Sequence, residues 1–263
     1  MAGGQSKEAL HELEAAALRV LTSDFADHAT YAVNAYNLLA DVVSHYARHP
    51  ASVPEDQVSI RIASRMANDL HCASEIGFRG YGPQACGLVA AMFELAFTWV
   101  KVLGQGAAAA NAWLTHADLR NTPVRAKEGL EYFVGLAIDE LGSKPKPLRR
   151  KLIESCVETE YKVYTELCAF KHGNPRSILP IESPGNQFTA PIGPDAGLWG
   201  QMSLCFAIEH GGRLAELAVQ YWTSKRLMKP DEIPFREALR RLSGARERLT
   251  ERSKARWRTT APG

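Results

Sequence analysis

Apolar residues recur at spacings of three and four along almost the whole chain, and this periodicity limits the fold more than any other feature. Between Glu55 and Phe78 they form one such row: Val58, Ile62, Met66, Leu70, Ala73 and Ile76. This spacing places side chains on one face of an α-helix. No run of alternating β-branched residues bounded by turns occurs, so no strand is predicted. We therefore expect an all-α fold, a bundle of about eight helices.

Prolines and glycines divide the chain into helical segments and one long loop. The predicted centre of the bundle is formed by the helices near residues 24–49, 58–78, 84–103 and 148–172. A Pro/Gly-rich loop is predicted at 173–197, because proline and glycine interrupt helices there. The predicted organisation is a single helical-bundle domain over 1–228, followed by a basic C-terminal helix and tail over 229–263.

The composition is that of an ordinary globular protein. With 263 residues, of which 46% are apolar and 23% charged, the chain is long enough to bury a core. Its five cysteines have no C-x-x-C spacing, which favours reduced thiols over a disulfide framework or zinc site. The opening sequence MAGGQSKEALHELEAA lacks a basic region followed by an apolar run, so no signal peptide is expected. The predicted location is cytoplasmic.

One stretch, Ala85–Gly104, is apolar enough to resemble a membrane span. Glu94 lies near its middle and Lys101 near its end. A charge at the centre of a bilayer costs at least about 2.5 kcal/mol. We therefore interpret the stretch as a buried central helix and expect no membrane partner.

Positive charge is concentrated near the end of the sequence. Residues 235–258 contain nine Lys/Arg and three Asp/Glu, a net charge of +6 in a chain whose formal net charge is +2. Basic helices can bind phosphate backbones. Glutamates interleave with these arginines, however, and no DNA-reading motif is present. A solvated or partner-docking helix is the preferred interpretation.

The predicted functional site lies where a long helix ends, at His172. Glu160, Tyr164, Cys168 and His172 recur every fourth residue, so they share one stripe of the helix. A carboxylate, a phenol, a thiol and an imidazole in one row can transfer protons. The alternative is structural, because a histidine at a helix C-terminus is favoured by the helix dipole and can bond the following loop.

Glu94 is the second part of this predicted site. It is a lone acid in an apolar helix, and a buried acid is costly unless it is paired. A pair with His172 would form a proton-transfer site, whereas a pair with Arg61, Arg65 or Lys171 would be structural. By role, the candidate catalytic residues are His172, Glu94 and Tyr164, and the candidate binding residues are Lys171, Asn174 and Arg176.

A second row, Asp41, His45 and His49, also repeats every fourth residue. The H-x-x-x-H pair can hold a divalent metal from one helix, so these three are weak candidate metal ligands. Tyr46 stands where an H-E-x-x-H protease has its glutamate, and a solvated face is the preferred interpretation. No phosphate-binding glycine loop and no G-x-S-x-G motif occurs, so no cofactor is predicted.

Two segments resemble those of a known group of proteins. The first, GYGPQACGLVAAMFELA (Gly80–Ala96), is similar to a Gly-Tyr turn and Phe-Glu-Leu helix found in uncharacterised all-helical bacterial proteins. The second, YKVYTELCAFKHGNP (Tyr161–Pro175), resembles the tyrosine and helix-ending histidine of the same proteins. That group is similar to the HEPN superfamily. The resemblance spans roughly Asp24 to Pro175 and implies an HEPN-like core.

The resemblance also implies a set of functions. Many HEPN proteins are ribonucleases of toxin and phage-defence systems, in which an arginine precedes the catalytic histidine by four to six intervening residues. With His172 as that histidine, the arginine would occupy Thr165, Glu166 or Leu167, and none of these is arginine.

Three functional hypotheses follow. The first is a non-catalytic helical protein of a stress or phage-defence type system, which forms homo-oligomers and binds a protein partner or RNA. The second is an HEPN-like ribonuclease that uses His172, with Lys171 or Arg176 as a cationic helper. The third is a metal-binding helical bundle.

Overall fold

The computed structural model describes residues 7–49, 52–117, 124–171, 181–183, 187–189, 193–225 and 233–260. Within these residues the fold is all-α, as predicted, with nine helices where about eight were expected. The helices are α1 (Lys7–Asp24), α2 (Ala26–Arg48), α3 (Pro54–Phe78), α4 (Gly82–Gln105), α5 (Ala107–Leu114), α6 (Ala126–Glu140), α7 (Lys146–Lys171), α8 (Leu198–Lys225) and α9 (Ile233–Thr260).

One small antiparallel ribbon, which was not predicted, joins β1 (Ile181–Ser183) to β2 (Gln187–Thr189). These are the only strands in the part of the chain that the structure describes. Each has three residues, too few for an alternating pattern to be recognised in the sequence.

Local sequence determines where several helices begin and end. Pro54 occupies the first turn of α3, where its missing N–H is no loss, and Glu55 and Asp56 suit the positive end of the helix. Gly80 follows α3 with φ at 94°, a conformation that glycine adopts readily, and so turns the chain into α4. The Gly80 carbonyl also accepts a hydrogen bond from the Asp195 amide at 2.9 Å, which ties the approach to α8 to this turn.

Helix α4 lies at the middle of the bundle and contacts α3, α6, α7 and α8. Its contacts on several sides explain why its sequence is apolar nearly all round. Trp99 is fully buried and donates its indole N–H to the Ser59 hydroxyl at 3.0 Å. Among the described residues, α4 is the one helix long and apolar enough to cross a bilayer, and 61% of its most apolar window is buried within the bundle. Core helices of soluble proteins pass the same test, so this is weak evidence for a span.

The prediction of which helices form the centre of the bundle is wrong for one of the four. The helix near 148–172 was expected there, but α7 buries only Val157 and Leu167. The fourth central helix is α8, which buries sixteen residues and packs on α2, α3 and α4. Its glycines permit the close approach: a Cβ built on Gly212 would lie 2.2 Å from Cε1 of Tyr31 in α2. Helix α7 lies outside this core, against α4 and α6.

Helix α9 packs against α2 and α8 through a single apolar stripe. Phe235, Leu242 and Leu249 are buried and stand seven residues apart, so they share one face. Three contacts show that α9 runs antiparallel to α8: the Phe235 ring on Trp222, Arg246 with Glu216, and Ser253 with Glu209.

Candidate functional site

Glu94 projects from α4 toward α7, and its side chain is 29% exposed. Its Oε1 accepts a hydrogen bond from the Tyr164 hydroxyl at 2.8 Å and another from Nζ of Lys171 at 3.0 Å. Lys171 is one of the partners that the sequence offered for this acid. Arg65, another of them, pairs with Asp69 instead, with 2.8 Å between Nε and Oδ1.

Packing holds the Tyr164 ring in place beside Glu94. The ring stacks on Phe93 with 4.8 Å between centroids, and it also contacts Tyr161 at 5.2 Å. Burial raises the pKa of the Tyr164 phenol, and hydrogen bonds with Cys168 and Glu94 raise it further. Burial also raises the pKa of the Cys168 thiol, although Tyr164 and Lys171 oppose the shift. Both groups therefore hold their protons at neutral pH.

The predicted row on α7 divides between two neighbouring helices. Tyr164 reaches Glu94 on α4, whereas Glu160 accepts a hydrogen bond from Nη2 of Arg213 on α8 at 2.5 Å. The row thus ties α7 to both α4 and α8. In the described part of the row, Glu160 and Tyr164 therefore make contacts between helices.

Three candidate residues, His172, Asn174 and Arg176, lie outside the described residues. Their proposed roles stay predictions. The description of α7 ends at Lys171, whose ammonium group is bound to Glu94.

His210 on α8 is a mostly buried histidine that the sequence analysis did not select. Burial lowers its pKa to about 4, and the neighbouring Arg213 lowers it too, against the smaller opposing effects of Glu209 and Glu160. The imidazole is therefore neutral at physiological pH. Its ring meets Phe206 edge to face, with 4.3 Å between centroids.

A cavity of about 10 Å³ lies beside His210, enclosed by α4, α7 and α8. Phe93 and Phe97 form part of its wall, together with the Arg213–Glu160 pair. This is close to the smallest volume that admits one water molecule, so it has no room for a substrate. Sequence reasoning missed the cluster because Glu160 and Arg213 are 53 positions apart and nothing local links them.

The structure does not assemble a metal site from Asp41, His45 and His49. No group of three or more His, Cys, Asp or Glu side chains suited to a metal occurs within the described ranges. The prediction of a solvated face is also wrong for His45, which is 7% exposed. Its ring packs edge to face against Trp222 and Phe235, so it belongs to the contact between α9 and the bundle.

A larger open cleft of about 860 Å³ runs between α6 and α7. Its lining residues are Lys127, Glu131, Ile153, Glu154, Val157, Glu158, Thr159, Tyr161, Lys162 and Thr165. Lys127 lies over the Tyr161 ring, 6.0 Å from its centroid. Charges of both signs are mixed along the cleft, which gives it no clear preference for one sign of ligand.

Comparison of the chain with known protein families, curated proteins and solved structures finds no match. The site is therefore interpreted from its own geometry, and the HEPN resemblance stays a prediction.

Proposed function

We propose that this chain is a non-catalytic helical interaction protein of a stress or phage-defence type system. The observation that carries the non-catalytic part is the pair of hydrogen bonds that Glu94 accepts. One of its oxygens is bound by both Tyr164 and Lys171, in a contact that ties α4 to α7. A carboxylate held in this way stabilises the packing of two helices.

The groups around Glu94 support the same proposal. General acid–base catalysis is most efficient when the pKa of the catalytic group lies near the working pH. The pKa values of Tyr164 and Cys168 are instead raised above their already high ordinary values. The sequence also lacks arginine at Thr165, Glu166 and Leu167, where the HEPN pattern would require one.

The proposal is tested by incubating the pure chain with total cellular RNA, beside a His172→Ala variant and a Glu94→Gln variant. We expect no cleavage by any of the three, while a commercial ribonuclease degrades the same RNA. Cleavage by the native chain that disappears in His172→Ala would overturn the proposal and establish the ribonuclease alternative.

The defence context and self-association rest on the HEPN resemblance. Light scattering over a range of concentrations measures self-association directly. We expect a mass at least twice the 28.9 kDa of one chain. A monomer at the highest concentration would contradict this part of the proposal and leave the non-catalytic part standing.

A further inference from the structure

The outer face of α9 differs sharply from the face that packs on the bundle. Among the side chains that the structure describes, its exposed charged residues are Arg236, Glu237, Arg240, Arg241, Glu247, Arg248, Glu251, Arg252 and Lys254. Six of these nine side chains are cationic, so the face carries an excess of positive charge. Among the side chains of α9 that the structure describes, this face has no large apolar residue, because the apolar stripe of the helix packs against α2 and α8.

Ion pairs restrain some of these cations and leave others available. Arg252 is engaged in a pair with Asp27 of α2. Arg241 pairs with Glu237 over 3.3 Å, and both side chains are more than half exposed, so the pair is weak. Arg240 and Arg248 have no ion-pair partner among the residues that the structure describes. They are the cations freest to meet an external anion.

Gly244 lies between these two arginines on the surface of α9. Arg240, Gly244 and Arg248 are spaced four residues apart and therefore form one row. The only atom near a Cβ built on Gly244 is Nη1 of Arg248, at 3.4 Å. Glycine is a poor helix former, yet here it leaves the helix surface open beside the Arg248 guanidinium, with Arg240 one turn before it in the same row. An anion can approach the helix closely at this point.

We propose that Arg240, Gly244 and Arg248 form a phosphate-binding surface whose partner is the backbone of a nucleic acid. Guanidinium groups bind phosphate with two parallel hydrogen bonds. The two arginines are eight residues apart, about 12 Å along the helix, and the phosphodiester backbone of a nucleic acid offers charge at both positions. This surface is separate from the Glu94 contact, so either proposal can fail without the other.

A lipid surface fits this face less well than a nucleic acid. Helices that bind membranes insert an apolar face below the headgroups. The apolar stripe of α9 is buried against the bundle, and the large exposed side chains that the structure describes on the outer face are charged. The phosphate contact is therefore expected with a linear phosphodiester and not with an anionic bilayer.

The test is fluorescence anisotropy of the full chain with short labelled RNA and duplex DNA over a range of salt concentrations. We expect both to bind, with a logarithmic salt slope of about −1.4 for single-stranded RNA and about −1.8 for duplex DNA, because each of the two phosphate contacts contributes roughly −0.7 to −0.9. The variant Arg240→Gln/Arg248→Gln is expected to bind at least about tenfold more weakly at low salt and to lose most of this slope.

A matched control separates a surface effect from a change in net charge. Arg19→Gln/Arg61→Gln also removes two exposed arginines, from α1 and α3, and should change affinity less than about twofold. Gly244→Gln covers this open part of the helix surface without changing the charge. It should weaken binding several-fold while the thermal midpoint stays equal or rises, since glutamine is the better helix former.

Three results would overturn the proposal. They are absence of nucleic-acid binding by the native chain, an equal loss in the Arg19/Arg61 variant, and binding to vesicles of anionic phospholipid without binding to nucleic acid.

Discussion

Glu94 illustrates at the scale of one residue how an apolar helix accommodates a charge. Its two partners stand 70 and 77 positions later in the chain. Each hydrogen bond replaces one that water would make, so its net contribution to folding is about 1 kcal/mol. The contact is therefore of modest strength, and it acts mainly by fixing how α7 lies on α4.

The variant Tyr164→Phe removes one hydroxyl and leaves the ring stacked on Phe93. We expect the free energy of unfolding to fall by about 1 kcal/mol, measured by urea denaturation with an unchanged m-value. Tyr161→Phe is the matched control, since the Tyr161 hydroxyl makes no hydrogen bond to any residue that the structure describes; its cost should stay below about 0.5 kcal/mol. Equal losses in the two variants would contradict the role of the Tyr164–Glu94 bond.

The sequence revealed the need of Glu94 for a partner, because a single acid in an apolar helix stands out. It included Lys171 among the candidates but could not select it, since the choice depends on how two distant helices pack. His45 was misjudged for a related reason. Its regular spacing with Asp41 and His49 gives no information about α9, which covers it with Phe235.

At the scale of the helix, α7 and α8 show which sequence signals predict a central position. Both are long, and the helix near 148–172 was expected at the centre of the bundle. It also contains ten charged residues among 26, whereas α8 has four among 28. The lower charge content of α8 therefore favours α8 for the central position. Its tight packing was less predictable, because it depends on which residue faces each glycine.

The substitution Gly212→Ala tests that close packing. A Cβ there would lie 2.2 Å from Cε1 of Tyr31, which is 1% exposed and has little room to move. We expect a net destabilisation of about 2 kcal/mol in thermal or urea unfolding, because overpacking outweighs the gain in helix propensity.

Gly135→Ala in α6 is the control for this change. The nearest atoms to its Cβ are Nη2 of Arg149 at 3.5 Å and Cδ1 of Ile153 at 3.9 Å, which are ordinary contacts. We expect stabilisation of up to about 1 kcal/mol, since alanine is the better helix former. A stabilising effect at both positions would mean that propensity alone decides and that the α2–α8 contact is not tight.

At the scale of the whole molecule, ionisable groups on α8 join the bundle to α9 and make the stability of the fold depend on pH. Glu209 accepts hydrogen bonds from His28 of α2 and Ser253 of α9. Burial raises the pKa of Glu209, but these two hydrogen bonds and the neighbouring histidines together lower it, and the net shift is downward. One carboxylate thus joins three helices, and its contribution to stability is lost in acid as its folded-state pKa is reached.

His210 produces a pH dependence at less acidic values. Its pKa is about 4 in the fold and near 6.5 in the unfolded chain, so between these values the unfolded state binds the extra proton. Stability should fall as the pH is lowered through this interval, by up to about 3 kcal/mol. His210→Gln removes this contribution.

The measurement compares the unfolding free energies of the two proteins at pH 5 and pH 7.5. The loss between these two values should be smaller in His210→Gln by about 2 kcal/mol, because pH 5 lies about 1.5 pH units below the unfolded-state pKa and about 1 unit above the folded-state pKa. All other histidines are present in both proteins, so their effects cancel in the comparison. Identical losses would show that His210 is not kept neutral by the fold.

The antiparallel pairing of α8 and α9 has a consequence for biosynthesis. Helix α9 leaves the ribosome after every other helix described here, and only then can Arg246 reach Glu216 and Phe235 cover Trp222. Until that moment the nascent chain exposes the acidic and aromatic side chains that α9 later covers, a kind of surface that chaperones bind. A chain truncated between the two helices would therefore be prone to aggregate, even though it contains most of the sequence that forms the core.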